Sequence, residues 1–325
     1  RTAPSPWLRE ACVEVQAYRP VQIPPRLADI GNLVTAQENS CRYCYGSTRA
    51  FMKVMGYPES FISGIERDAQ EAELDEKERQ FIAFCRNLAR SRPRPAAADR
   101  EMLLRSGFSP LAVAETAFYV AASCFYHRVA TFLACPPELR IERFANSPMG
   151  RLIGLAAPLV RKLAAGRQRP QAVAESGGNA VAAGPFGAII ATLAGLPAAA
   201  LMRQALEGAF ASTVLPARAK TFMFAVVARS LECRFCSAEA RGMLEGDGFT
   251  PGEIESTLAA LASPRLDPLE TRLLHWVRST VHYEPAQIQD ETRALAAEIG
   301  EARVLEAIGV AALANATVRL AMLRE

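Results

Sequence analysis

Apolar positions recur at helical spacing along the chain. Leu103, Leu111, Ala114, Phe118 and Ala121 fall near a 3.6-residue period, as do Leu295, Ile299, Leu305, Ile308 and Ala312. No convincing alternation of strand period emerges between them. At Gly56-Tyr57-Pro58, Ser109-Pro110 and Gly248-Phe249-Thr250-Pro251, small or capping residues precede new helical runs. The pattern predicts an all-α chain.

The helical pattern is written twice. Cys41-Arg42-Tyr43-Cys44 and Cys233-Arg234-Phe235-Cys236 lie 192 residues apart. The same offset of 192 superposes Pro24 on Pro216, Arg26 on Arg218, Arg49 on Arg241 and Gly56 on Gly248. It also brings Leu74-Asp75 onto Leu266-Asp267, Glu78 onto Glu270 and Arg86 onto Arg278. With one residue lost, an offset of 191 brings Glu115 onto Glu306 and Arg128 onto Arg319. Matches spread this widely at a nearly fixed offset point to a duplicated unit. The expected organisation is a first repeat over 1–140, an amphipathic helix and polar linker over 141–185, and a second repeat over 186–325. A chain of 325 residues is long enough for two such domains, each with a core.

Two stretches break the repeat. Ser147 to Ala165 reads as a cationic amphipathic helix, with Leu152, Ile153, Leu155, Leu159 and Val160 among its apolar residues. Packing across the two domains is expected for it, in preference to a membrane surface. Gly166 to Pro185 reads as a polar linker. From Ser176 to Met202 there is no charged residue, and Phe186 to Met202 is largely apolar. A membrane span wants about 20 predominantly apolar residues. Pro185, Pro197 and the Ala/Gly content argue against one, and Arg203-Gln204-Ala205-Leu206 continues a helical pattern. A buried helix of the second repeat is expected.

Composition narrows the partners. The chain is 50% hydrophobic with a formal charge of +3, and its basic residues are nearly all arginine, the lysines being Lys53, Lys77, Lys162 and Lys220. No basic patch interleaved with aromatics occurs, so nucleic acid is not an expected partner. Of eight cysteines, Cys12, Cys85, Cys124 and Cys135 are scattered, without a cysteine at the repeat-equivalent position. That usage fits a reducing compartment, and the visible start lacks a signal-peptide pattern, so a cytoplasmic location is expected.

The candidate chemistry lies in the two dithiols. CxxC spacing puts both sulfurs on one side of a helical turn, where they close a disulfide or share a metal. Asn39-Ser40 resembles an N-cap, which would place Cys41 and Cys44 in the first turns, where free amides and the helix dipole favour thiolate. Ser230 is the corresponding cap candidate for Cys233. Around Cys233 and Cys236, Glu232 and Glu239 should oppose ionisation, so the first pair is expected to be the more reactive. A Cys₄ zinc site shared by both pairs is a rival, but the pairs lie nearly a domain apart, and no metal or other cofactor is expected. His127, on a late helix beside Tyr126, is the candidate for a displaced base. His275 and His282 have no histidine counterparts in the first repeat, and the expected reading for each is a packed or surface residue.

These motifs resemble the alkylhydroperoxidase D-like branch of the carboxymuconolactone decarboxylase family, in which an apolar helix beginning with Glu precedes a CxxC followed four residues later by His. Pro25 to Met52 and Ala217 to Met243 follow this plan, and Phe125-Tyr126-His127-Arg128-Val129-Ala130 looks like the family's late helix. The resemblance covers nearly all of both repeats. It implies an all-helical fold of two tandem domains related by a pseudo-twofold axis, oligomers of the small unit, and peroxide reduction by a cysteine pair. Where the family has Glu and His, this chain has Asp29 and Thr48 in the first repeat, and Thr221 and Ala240 in the second. Hydroxyls do not titrate near neutral pH, so Thr48 and Tyr45 do not replace His as a base. In the second repeat that work would fall to Glu239 or Glu232.

The function expected from the sequence is a thiol-dependent peroxidase or thiol-disulfide oxidoreductase. A Cys41/Cys44 sulfur attacks the hydroperoxide, Asp29 is the nearby carboxylate, and Tyr45, Thr48 or His127 move protons. A dithiol protein would be the reductant. Two alternatives stay open at this level: a family member diverted to another, biosynthetic reaction, and a non-catalytic scaffold or cysteine metal-binding module.

Overall fold

The structure, a computed structural model, describes residues 5–67, 73–90, 97–165 and 184–324. Every regular element among them is helical. The first half contains α1 (Pro6–Ala17), α2 (Pro25–Glu38), α3 (Arg42–Val54), α4 (Glu59–Arg67), α5 (Glu76–Arg90), α6 (Ala97–Arg105) and α7 (Pro110–Phe132). Then come α8 (Leu139–Asn146), α9 (Pro148–Ala165) and the short α10 (Gly187–Ile190). The second half runs through α11 (Ala198–Ala211), α12 (Ala217–Ser230), α13 (Arg234–Gly246), α14 (Pro251–Ala260), α15 (Pro268–Ser279), α16 (Pro285–Ile299) and α17 (Glu301–Leu320). Displaced by the offset read from the sequence, α2 to α7 fall in order on α12 to α17, and α1 falls on α11.

Local chemistry sets the helix starts. Proline stands in the first turn of α1, α2, α7, α14, α15 and α16, where its missing N–H costs nothing. Ser109 caps α7 by accepting from the Ala112 amide at 3.1 Å. Thr250 and Asp267 form capping boxes with Glu253 and Glu270.

The core lies where α7 meets α17. Both helices are buried on nearly every face, as expected of helices apolar all round. Their abundant Ala lets neighbouring helices approach closely, and one hydrophobic cluster extends from Trp7 to Ala321. Trp7 joins the halves. Its side chain sits so close to Gly208 and Gly309 that a Cβ at Gly208 would lie 2.8 Å from Trp7 Cβ and one at Gly309 would lie 2.6 Å from the indole ring. Its Nε1 donates to Glu306 Oε2 at 2.7 Å.

Glu115 and Glu306, at corresponding places on α7 and α17, are both fully buried. Glu115 accepts from Tyr18 Oη at 2.6 Å and from the backbone amides of Val21, Gln22 and Ile23, fixing the α1–α2 connection. Glu306 instead pairs with buried Lys220 at 3.0 Å and accepts from Ser5 Oγ at 3.0 Å. Lys220 also donates to the Ala209 and Ser212 carbonyls, so both ions are compensated.

Two expectations need correction. Among the described residues α9 packs mainly on α3 and α8, within the first half, and not across the domains. Its Gly154 lies against the Lys53–Gly56 backbone, which draws it to α3, while Met149, Leu152, Ile153 and Leu155 remain exposed. The described part of the uncharged stretch, 184–202, is largely buried but is not one helix. Gly195 at φ +85° and Pro197 break it between the Gly187–Leu193 turns and α11. Most of the sequence-predicted linker, 166–183, lies outside the described residues. Among the described residues no helix is long and apolar enough to cross a membrane.

Candidate dithiol site

The first dithiol is made by the abrupt end of α2. Ser40 takes a left-handed φ of 47°, Cys41 N–H donates to Ala36 O at 3.2 Å, and the chain then re-enters a helix. Cys41 itself is the N-cap of α3, its Sγ accepting from the Cys44 amide at 3.4 Å. The expected Asn39-Ser40 cap is therefore corrected: Asn39 closes α2 and turns its side chain inward. The second copy repeats the geometry, with Glu232 left-handed at φ 56° and Cys233 Sγ accepting from the Cys236 amide at 3.2 Å. Ser230 does not cap there; it ends α12, bonded back to Val226 O. In both copies the cysteines still occupy the helix start, with its free amides and positive dipole end.

The two pairs differ in surroundings. Cys41 and Cys44 form a disulfide with Cα atoms 5.3 Å apart. Cys44 lines a cavity of about 340 Å³ together with Asn32, Thr48, Tyr119, Ser123 and His127. Asn32 Nδ2 donates to Tyr119 Oη at 2.7 Å, and Ser123 Oγ donates to Asn32 Oδ1 at 3.1 Å, so this wall is a connected polar network.

His127 is buried, and its Nδ1 lies 3.1 Å from Asn39 Nδ2, which also donates to Cys124 Sγ at 3.2 Å. With Asn39 as donor, Nδ1 accepts and the ring proton sits on Nε2. Burial lowers the imidazole pKa to about 3, so it is neutral at physiological pH and presents an N–H donor, not a ready base.

The other expected residues fall outside this pocket. Tyr45 packs its ring near the disulfide, but its hydroxyl donates to Glu66 Oε1 at 2.6 Å, and burial with that bond pushes its pKa up to about 12. Asp29 accepts from Tyr57 Oη at 2.8 Å behind the pocket. Burial raises the Tyr119 phenol, and the Asp29 charge adds to the effect. Glu239 is half-buried on α13 beyond Cys236. His275 lies outside the buried core on α15, and His282 follows that helix.

The second dithiol lacks such a pocket wall. Where the first half has Asn32, Thr48, Tyr119, Ser123 and His127, the repeat offset gives Phe224, Ala240, Val310, Ala314 and Val318, all buried. Tyr18, another pocket residue, corresponds to Phe210. Phe210 and Phe224 pack at 5.5 Å between ring centroids, and Phe186 stacks on Phe224 at 4.7 Å. Apolar side chains occupy these positions, and Cys233 and Cys236 belong to the main hydrophobic core. The offset that revealed the repeat also carries this contrast, read at the pocket positions and not at the CxxC alone.

Cys135 packs against the small cluster of Ala36, Cys41, Cys44 and Ala130. Cys12 lies near Cys135 in space, and burial raises its thiol pKa to about 12. Among the described residues no group of three or more His, Cys, Asp or Glu side chains could hold a metal ion. No family model, curated protein or solved structure matches the chain.

Proposed function

We propose that the chain is a thiol peroxidase that reduces a hydroperoxide at the Cys41/Cys44 pair and is recycled by a dithiol reductant protein. The observation that carries this reading is a redox-closable pair at a helix start, with one member, Cys44, lining a cavity walled by hydrogen-bond donors. In the reduced protein, Cys44 thiolate attacks the distal peroxide oxygen. The O–O bond breaks, the sulfur becomes a sulfenic acid, and the departing alkoxide takes a proton through Thr48 and the Nε2–H of His127, replenished from water. Cys41 then attacks that sulfur, forming the disulfide and releasing water. The reductant returns the pair to two thiols by exchange and leaves as its own disulfide.

The tandem alkylhydroperoxidase D-like architecture belongs to the same proposal. It is supported by the ordered correspondence of α1–α7 with α11–α17 and by the repeated cysteine cap. In this reading the second dithiol is structural. A cytoplasmic homo-oligomer is proposed with it, and the exposed apolar residues of α9 support the oligomer.

The test is to add hydroperoxide to the reduced protein and map thiols by mass spectrometry. One Cys41–Cys44 disulfide and one alcohol per chain are expected. Undiminished turnover in Cys44→Ser, or no thiol consumed by peroxide, would overturn the reading.

A further inference from the structure

Beside the dithiol pocket lies a second cavity of about 310 Å³. Helices α1 and α11, from opposite halves, form its sides, and α7 and α17 contribute its remaining wall. Trp7, Ala11, Phe118, Phe125, Met202 and Leu313 make the lining apolar. Two residues, Val15 of α1 and Ala122 of α7, line both this cavity and the dithiol pocket. Along α7 the division is regular. Phe118, Ala121 and Phe125 face the apolar cavity, Tyr119, Ser123 and Tyr126 face the dithiol pocket, and Ala122 lies on the border. A polar chamber holding the sulfur thus adjoins an apolar one across two small or medium side chains.

The apolar chamber also carries charge information. Glu10, Glu14 and Glu207 line it and are solvent-exposed, with Arg203 3.9 Å from Glu207, so its outer side carries a net negative charge. A chain ending in a carboxylate would meet like charge there, whereas an uncharged chain would not.

We propose that this chamber holds the uncharged hydrocarbon chain of an amphiphilic substrate whose polar end lies in the pocket at Cys44. The substrate class is then a long-chain alkyl hydroperoxide without a distal acid group. The identity of the reacting end rests on the peroxidase reading; the chain site does not.

Non-reacting 1-alkanols test the chain site alone. Trp7 lines the chamber, and the other tryptophan, Trp276, packs on Phe132 away from it. Trp7 emission, followed in wild type and in Trp276→Phe, should therefore report binding. Affinity should rise about three- to fourfold per added methylene until the chamber is filled. Ala205 lines this chamber and not the dithiol pocket. Ala205→Phe should weaken decanol binding about tenfold or more, and should cut the kcat/KM ratio of decyl to ethyl hydroperoxide by a similar factor.

Circular dichroism and the thermal midpoint establish that the variant is folded, and titrating wild type alone still decides the chain-length dependence. Decanol binding that Ala205→Phe weakens, without turnover of either hydroperoxide, supports the chain site and sinks the peroxidase reading. Turnover of both hydroperoxides at equal kcat/KM, with no alkanol binding, overturns the chain site and leaves the peroxidase reading intact. Alkanol affinity independent of chain length also overturns the chain site.

Discussion

Arg128 and Arg319 each close a helix belonging to the other half of the chain. Arg128, on α7, donates to the carbonyls of Thr280 and Val281 just past α15, and Arg319, on α17, donates to Ala89 O at the end of α5 at 2.9 Å. Both arginines are buried. Desolvation lowers the Arg128 pKa to about 10, which leaves it charged at neutral pH. The four last carbonyls of a helix lack intrahelical partners, so each arginine satisfies acceptors that would otherwise be buried unpaired.

Arg128→Ala should therefore cost about 2–4 kcal/mol in urea unfolding, because two carbonyls lose a charged donor. Arg128→Lys keeps the charge without the planar fork and should recover only part of that loss. An unchanged unfolding midpoint in Arg128→Ala would contradict the account.

Lys220 offers a harsher case. Lys220→Met leaves Glu306 without its cation in a site with no solvent exposure, at a cost of about 3–5 kcal/mol. The Lys220→Met/Glu306→Gln double variant removes the stranded charge and should be more stable than Lys220→Met alone. Equal stability of the two, measured by denaturant titration, would show that Glu306 is not stranded.

The dithiols should separate sharply in activity. If the proposed peroxidase reading holds, Cys44→Ser should lower peroxide turnover about a thousandfold or more, because the proposed nucleophile is lost. Cys233→Ser, buried with apolar neighbours in the second half, should stay within about twofold of wild type once its folding is verified. A loss at Cys233 as large as that at Cys44 would reassign the working pair.

Acid should destabilise the protein through His127. Its pKa is about 3 when folded, against about 6.5 for a solvated imidazole, so the unfolded chain binds the proton more readily. The stability this residue confers is complete above about pH 6.5 and is lost as pH falls toward 3, at up to about 1.4 kcal/mol per pH unit. Stability curves of wild type and His127→Gln should thus converge on acidification; parallel curves would place His127 in a different protonation state.

Self-association should depend on α9. Leu152 and Leu155 are 62% and 81% exposed, on a helix without an acidic residue in its first turn. Replacing both by Glu should reduce the sedimentation mass of the native protein, and the same mass in both forms would remove α9 from the interface.

The helices were legible because burial imposes a period. The residues from Leu111 to Ala121 lie on α7, and those from Leu305 to Ala312 on α17, where the pattern placed helices. Ser109 and Thr250 cap as their neighbours suggested. The cysteine pairs were legible through their shared offset. The cap at Cys41 was not, because a sulfur accepting a backbone amide leaves no distinctive residue in the sequence, while Asn39-Ser40 imitates a cap. Nor was the inward turn of Asn39, whose partners Cys124 and His127 come from a helix some ninety residues on. The placement of α9 depended on Gly154 meeting the Gly56 backbone, a close approach that local periodicity does not encode.

Trp7 has a consequence for what this chain can be cut into. It belongs to the first half by sequence, yet its slot is made by Gly208 and Gly309 and its indole N–H goes to Glu306, all in the second. α7 and α17 likewise cover each other. A fragment ending after α9 would present an apolar helix face and an unhoused tryptophan to water; one beginning at α11 would present an acid and a vacant slot. Shortening to either fragment would expose core, so deletion mutations that discard one copy should be purged while point changes within a copy are tolerated. The arrangement works as a ratchet: side chains around the second dithiol can change, but its helices are retained because the first half is packed against them.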